Sequence, residues 1–262
     1  GGDKMDSPIK WVGSKRQLRK DIVELIPEHI CYVEPFFGGG SVYFYKQPSK
    51  VEVINDYDSN VINFFKVLQN EESGEKLLNK IENSLISRQL FLEYRASEWD
   101  KLEPIEKAYR FYYIIKCSFG GLFRFNKEGV CNSPFAGSPS PKAKSSLYSS
   151  RSLNTIRKAH KRLQKSIIEN GDYKEIIRRY DKDTTFFFLD PPYDTDYSYG
   201  VKFDYDELLE VCRSIKGKFL LTLNSELRDK FLEFNIIDKE VNYSVTCKKG
   251  DNKQKEIMIT NY

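Results

Sequence analysis

Residues 186 to 193 read Phe-Phe-Phe-Leu-Asp-Pro-Pro-Tyr, and no other stretch restricts the fold so tightly. Four apolar residues without polar alternation fit a strand buried on both faces of a parallel sheet. Two prolines then end it, because proline has no N–H to give to the ladder. Asp190 and Tyr193 are thereby placed at the carboxyl end of a central strand, where open α/β sheets bind their ligands. Together Asp190, Pro191, Pro192 and Tyr193 offer a carboxylate, a carbonyl, a stiff backbone and an aromatic face. Such a set receives a planar group bearing an NH2, whose hydrogens the oxygens accept while the ring stacks on its plane. Taken alone, the tetrapeptide also fits a strand that ends in a Pro-Pro turn with a surface tyrosine.

The pattern around it is that of an α/β chain. Residues 15–26 have helical apolar spacing, stopped by Pro27. A short strand from Cys31 to Glu34 runs into a glycine-rich turn, and a second strand, Val51 to Asn55, ends at Asp56. A helix follows from Ser59 to Leu68. This order is half of a doubly wound nucleotide-binding sheet. From Glu71 to Ala108 the spacing is helical, with Leu77, Leu78, Ile81, Leu85, Leu90 and Leu92 as core positions. Residues 109–150 change character, being rich in aromatics, glycine, serine and proline, and 133–142 read as irregular loop. A basic helix is predicted from Ser152 to Glu169. The α/β pattern then resumes with the 186–189 strand, a helix near 204–216, a strand at Phe219-Leu-Leu-Thr-Leu, and alternating stretches at 236–245 and 256–262. The expected fold is therefore a doubly wound Rossmann-like sheet, residues 5–60 and 156–262. A mainly helical insertion of roughly ninety residues, 61–155, interrupts it.

Composition removes several function classes. No apolar run is long enough to cross a membrane, and the polar segment Gly1 to Asp6 has no signal-peptide core, Met5 reading as the native start. The five cysteines, Cys31, Cys117, Cys131, Cys212 and Cys247, are odd in number, widely spaced and free of CxxC pairs, so they read as thiols in a reducing compartment. With two scattered histidines, His29 and His160, neither a zinc centre nor a Ser-His-Asp triad is readily built. The net charge of +4 is modest, but from Lys107 to Lys165 thirteen Lys or Arg stand against one acid, Glu128. Such a stripe suits a polyanion, although a solvated basic surface would look similar.

The turn Glu34-Pro-Phe36-Phe-Gly38-Gly-Gly40-Ser41 lets backbone approach a ligand and leads into a helix with free N–H groups. It is not a dinucleotide fingerprint, since GxGxxG would need glycine at Tyr43. Asp56 follows the next strand, where an acid can bind ribose hydroxyls or cap a helix. Turn and acid together point to an adenosine-containing ligand.

Four segments in order then resemble one family, the Dam-type (D12 class) DNA adenine-N6 methyltransferases. They are Pro8-Ile-Lys-Trp11-Val-Gly13-Ser-Lys15, Val33 to Ser41, Ile54-Asn-Asp56 and Asp190-Pro-Pro-Tyr193. Glu256 to Tyr262 is similar to the family's terminal strand, so the likeness runs nearly end to end. The resemblance implies S-adenosylmethionine as cofactor and no metal. It assigns Trp11, Lys15, Glu34, Phe36, Gly38, Gly40, Ser41, Asp56 and Asp190 to the cofactor. Asp172-Tyr173 resembles the segment that meets its adenine, though Asp172 also fits a helix cap. Phe119-Gly-Gly-Leu122-Phe-Arg124-Phe-Asn126 with Asn132-Ser-Pro134-Phe135 is similar to the family's recognition segment. It implies DNA contact by Phe119, Leu122, Arg124, Asn126 and Pro134, with Lys142 and Lys144 as phosphate contacts. Phe123 and Phe125 are expected to pack inside. Two departures bear on the target: Gly120 stands where GATC methylases of this type usually carry Asn, and Ser133 replaces the more usual Val.

What the resemblance implies is methyl transfer to N6 of an adenine flipped out of a short double-stranded site, GATC or a related guanine-containing one. Asp190 and the Pro191 carbonyl would hold the two N6 hydrogens while Tyr193 stacks on the base. The protein would act as a monomer in the cytoplasm on bacterial or phage DNA, with or without a restriction endonuclease. Methylation of RNA or of a protein glutamine uses related motifs, and a catalytically silent DNA-binding protein is the alternative of another class.

Overall fold

The computed structural model describes residues 4–121, 123–126, 130–136, 147, 149–192, 203–242 and 253–262. In chain order the elements are α1 (Arg19–Leu25), β1 (Cys31–Glu34), α2 (Ser41–Tyr45), β2 (Val51–Asn55), α3 (Ser59–Gln69), α4 (Glu71–Glu82), α5 (Arg88–Arg95), α6 (Pro104–Cys117), α7 (Ser150–Leu163), β3 (Ile167–Glu169), α8 (Tyr173–Tyr180), β4 (Thr185–Leu189), α9 (Tyr205–Ser214), β5 (Lys218–Asn224), β6 (Asn235–Asn242) and β7 (Lys253–Thr260). They fall into two compact units, one of Gly1–Ser14, Gly38–Gln47 and Asp58–Asn170, the other of Lys15–Phe37, Pro48–Tyr57 and Gly171–Tyr262.

The sheet has seven strands in the order β3-β2-β1-β4-β5-β7-β6. β1 is parallel to β2 and β4, and β4 to β5, whereas β7 runs antiparallel to both β5 and β6. This is an α/β fold with a mixed sheet. The chain order reverses between β1 and β4, which makes the carboxyl ends of those two strands the ligand-binding edge. Every residue of β4 is buried. Phe187 and Leu189 join a core with Val33, Val53, Leu221, Ile176 and Leu208, while Phe186, on the other face, stacks on Tyr32 at 6.0 Å. Covering both faces explains the absence of polar alternation, and each buried phenylalanine contributes about 1.5–3 kcal/mol.

The other unit is mainly helical. Side chains of Asp58, Asn70, Ser87 and Ser149 cap α3, α4, α5 and α7. Phe64 of α3 stacks on Tyr112 of α6 at 5.9 Å. Among the described residues no helix is long and apolar enough to cross a membrane, and Cys31, Cys117, Cys131 and Cys212 are free thiols.

Several expected boundaries move. The first helix begins at Arg19 rather than 15, which leaves Lys15 outside it. The helical stretch after Glu71 breaks beyond Glu82 and restarts at the Ser87 cap. The break resets the helical phase, so Phe91 takes the core position while Leu85 is 73% exposed and Leu92 42% exposed. No change of structure occurs at residue 109, because α6 runs through to Cys117 with Ala108, Phe111, Tyr112 and Ile115 on its buried side. The 152–169 helix is α7 followed by β3, where two β-branched residues, Ile167 and Ile168, favour a strand.

Candidate functional site

Asp190 sits one residue beyond β4, and its carboxylate is held from within the sheet unit. Lys15 Nζ lies 2.9 Å from Asp190 Oδ1 and 4.0 Å from Glu256 Oε2. The Thr222 hydroxyl donates to the same Asp190 oxygen at 2.8 Å. Lys15 and Glu256 are each 2% exposed and Thr222 is fully buried. An ammonium taken this far from water is tolerable only between carboxylates. Lys15 is therefore no surface lysine: its stem leads the charge inward to the end of β4. Pro191 and Pro192 follow, and the Pro192 carbonyl accepts from Tyr205 at the start of α9, 2.8 Å away. Tyr193 lies outside the described residues.

The ends of β1 and β2 are fastened by one amide. Asn55 Nδ2 donates to the carbonyls of Pro35 at 2.9 Å and Gly171 at 3.0 Å, and its Oδ1 accepts from the Gly171 N–H at 2.9 Å. Its own carbonyl accepts from Phe37 N–H. Asn55 is wholly buried and uses both of its amide hydrogens on the turns that precede Phe36 and Tyr173. Phe36, Tyr173 and Phe203 form a ring cluster with centroids 4.9 to 5.8 Å apart. The Tyr173 hydroxyl is buried without a hydrogen-bond partner among the described residues. Burial, reinforced by the charges of Glu207 and Asp172, pushes its phenol up from the ordinary tyrosine range, so it stays neutral. Glu34, 2% exposed, accepts from the Tyr32 hydroxyl at 2.8 Å. Asp56 is 9% exposed at the end of β2, and the capping of the next helix falls to Asp58. Asp172 caps α8 through the Lys174 N–H at 2.8 Å, the second of the two roles its sequence position allowed.

In the helical unit the glycine turn and the tryptophan of the first motif come together. A Cβ on Gly38 (φ 49°) would stand 2.6 Å from Trp11 Cδ1, and one on Gly39 3.0 Å from Trp11 Cβ. Only glycine admits the indole here. Gly40 adopts φ 67°, and Ser41 opens α2, which is just five residues long.

Residues 123–126 pair antiparallel with residues 130–132. Phe125 and Cys131 form an antiparallel bridge, the Asn132 N–H donates to the Arg124 carbonyl at 3.1 Å, and Asn126 Oδ1 accepts from Val130 N–H at 2.8 Å. Extended backbone alternates its side chains. Phe123 and Phe125 turn inward, Phe123 at 5.1 Å from Trp99 and 4.6 Å from Phe111. Arg124 is exposed between them, and its side chain makes no hydrogen bond or ion pair with any described residue. The Ser133 hydroxyl accepts from the Arg124 N–H at 3.3 Å. Pro134 is half-buried and Asn126 exposed. Gly120 adopts φ 71°, ψ 3°. The Phe119 side chain, Leu122, Lys142 and Lys144 lie outside the described residues.

The basic stripe is less one-sided in space than in sequence. Arg110 pairs with Glu106 at 2.7 Å and Arg151 with Asp6 at 3.2 Å. Arg157 pairs with Glu82, and Arg162 packs over the Tyr43 ring at 4.1 Å. Three acids and a tyrosine from outside the 107–165 window supply these partners, which a count along the chain does not register.

Three residues of these sites were not singled out from the sequence: Thr222, Glu256 and Asn55. The available signal was a polar residue inside or at the end of an otherwise apolar strand.

Residues 11–245 match the family model of the D12 class N6 adenine-specific DNA methyltransferases. The chain is 30% identical over 281 residues to Type II methyltransferase M1.LlaDCHI of Lactococcus lactis subsp. cremoris, covering 97% of this chain and 94% of that protein. It is 26% identical to Type II methyltransferase M.MjaIII of Methanocaldococcus jannaschii, over 97% of this chain and 98% of that one. With the DNA adenine methylase of Salmonella typhi it shares 28% identity over 71% of this chain and 64% of that one.

Proposed function

The chain belongs to the D12 class of N6 adenine-specific DNA methyltransferases, and we propose that it methylates an adenine flipped out of a short, guanine-containing double-stranded site, with Asp190 as the group that holds N6. The observation that carries this reading is the Asp190 carboxylate itself, set at the end of the central strand and tied to a buried ammonium at 2.9 Å. Adenine N6 is a poor nucleophile because its lone pair is delocalised into the ring, and inside a duplex it is out of reach. A carboxylate and the Pro191 carbonyl accepting its two hydrogens favour the pyramidal nitrogen, which has its lone pair available. Tyr193 stacks on the base. Catalysis by these residues is positioning in a site that excludes water.

S-adenosylmethionine, the cofactor that membership of a methyltransferase family implies, supplies a methyl group already activated by a positive sulfur. The residues of the sheet unit fit such a group. Asp56 offers a carboxylate for ribose hydroxyls, Phe36 and Tyr173 offer apolar ring surface for an adenine, and the orphaned Tyr173 hydroxyl is a buried polar atom in need of a partner. Glu34, Lys15, Asp172, Trp11, Gly38, Gly40 and Ser41 complete the set that the resemblance implies.

Residues 61–155 are proposed to read the target. Arg124, exposed and with no partner among the described residues, is suited to pair bidentately with guanine O6 and N7. Phe119, Leu122, Asn126 and Pro134 would flank it, and Lys142 and Lys144 would contact phosphates. The test is transfer of a labelled methyl group to duplex DNA by Asp190→Ala. Turnover is expected to fall by about 10²–10³-fold or more, the range for losing one positioned group at a transition state, with DNA binding retained. Near-normal turnover would overturn the assignment. Mapping methylated adenines in DNA exposed to the wild-type protein would define the target.

A further inference from the structure

Thr222 is the one polar residue in the interior of β5, and it is fully buried. The ladder pairs Leu189 with Leu221, so Thr222 stands level with Asp190, where β4 has ended and β5 continues. A hydroxyl has a single proton to give. Two acceptors are within reach, the Leu189 carbonyl at 3.4 Å and Asp190 Oδ1 at 2.8 Å. The shorter, charge-assisted bond takes the proton. Lys15 Nζ approaches the same oxygen at 2.9 Å. Among the described residues no group bonds Asp190 Oδ2.

We propose that Thr222 is a positioning residue that sets the rotation of the Asp190 carboxylate, so that Oδ1 stays inside with Lys15 and Oδ2 is presented to the substrate amine. Lysine alone cannot do this. Its ammonium has three rotatable donors at the end of a flexible stem and can donate to either carboxylate oxygen from a range of directions. A hydroxyl on a β-branched side chain in a central strand has a restricted χ1 and a fixed origin. Two donors converging on one oxygen define the plane of the group, and a fixed plane is what a transition state of one geometry requires. The buried Glu256, 4.0 Å from Lys15 Nζ, is a second anchor for the ammonium, which favours its staying at Oδ1 rather than following a turning carboxylate.

The inference rests on Asp190 as the N6 acceptor, and its test separates the two. Single-turnover methyl transfer is measured at saturating cofactor and duplex for wild type, Thr222→Val, Thr222→Ser and Asp190→Ala. Valine keeps the shape and removes the hydroxyl; serine keeps the hydroxyl. Thr222→Val is expected to transfer about tenfold more slowly, as for the loss of one hydrogen bond to a charged group. Its KM for cofactor and its affinity for DNA should stay within about twofold, and Thr222→Ser should recover most of the rate. A wild-type rate in Thr222→Val overturns the proposal. So does a loss that serine fails to restore, which would mark Thr222 as a packing residue, or a change confined to KM. If Asp190→Ala itself turns over normally, the error lies in the catalytic assignment; if it is inactive while Thr222→Val is unaffected, only the positioning role fails.

Discussion

The surroundings of Asp190 and those of Arg124 are built on opposite rules. At Asp190 one carboxylate oxygen already has two partners, Lys15 and Thr222, and Lys15 in turn faces Glu256. Nearby, the Asn55 amide spends both its hydrogens on backbone carbonyls. At Arg124 the backbone is fastened, its N–H to Ser133 and its carbonyl to the Asn132 N–H, while the guanidinium is left in solvent. The first arrangement stores order before any ligand arrives, which suits chemistry. The second holds donors in reserve for a partner that must be sampled and rejected many times, which suits reading.

Three variants probe that contrast, taken from the largest expected effect down. Asn55→Ala strips partners from two carbonyls and one N–H in the wired region, and is expected to cost about 2–4 kcal/mol of stability. Denaturant unfolding measures the loss, and calorimetry should show weaker cofactor binding beside it. Undiminished cofactor affinity would reduce Asn55 to a packing role. Lys116→Met examines a cation of the helical unit that breaks the pattern. Burial, and behind it the charge of Lys10, bring the Lys116 ammonium down to about 8 from 10.5. Between those two values the unfolded chain holds the proton and the folded chain does not, so this group makes stability rise with pH across that window. Methionine should therefore stabilise the protein by about 2–3 kcal/mol below pH 8, with the gain fading as pH approaches 10.5. A gain independent of pH would mean that the charge is not the cause. Arg124→Ala should leave unfolding unchanged within about 0.5 kcal/mol and cost about 1–3 kcal/mol in methylation of the preferred duplex, relaxing choice at one base pair. If every singly substituted duplex slowed by the same factor, Arg124 would be a phosphate contact instead.

The strands that carry the chemistry were the legible part. β1 and β2 are bounded as their composition indicated, and Phe186 to Leu189 pointed to a doubly covered strand because a short apolar run without polar alternation, cut off by two prolines, fits one. Helix phase was less legible. Leu85 and Leu92 looked like core because apolar spacing carries no sign of a break, and the Ser87 cap that resets the count resembles any other serine. The partners of charged groups were the least legible. Lys15 and Glu256 are 241 positions apart in the sequence, and only the antiparallel return of β7 beside β5 brings the carboxylate to the lysine. The pairing of Arg157 with Glu82 and of Arg151 with Asp6 was hidden for the same reason.

Gly120 adopts φ 71° and ψ 3°. That is the left-handed region, open to glycine without strain and to asparagine at the smallest cost among other residues. By the resemblance of the recognition motif, asparagine is the residue expected there in a GATC methylase. The backbone at 120 thus has a shape that glycine and asparagine both adopt, so exchanging one for the other would change the side chain at little conformational cost. On the proposed reading of this segment as the DNA-recognition element, the target could drift at such a position at little conformational cost.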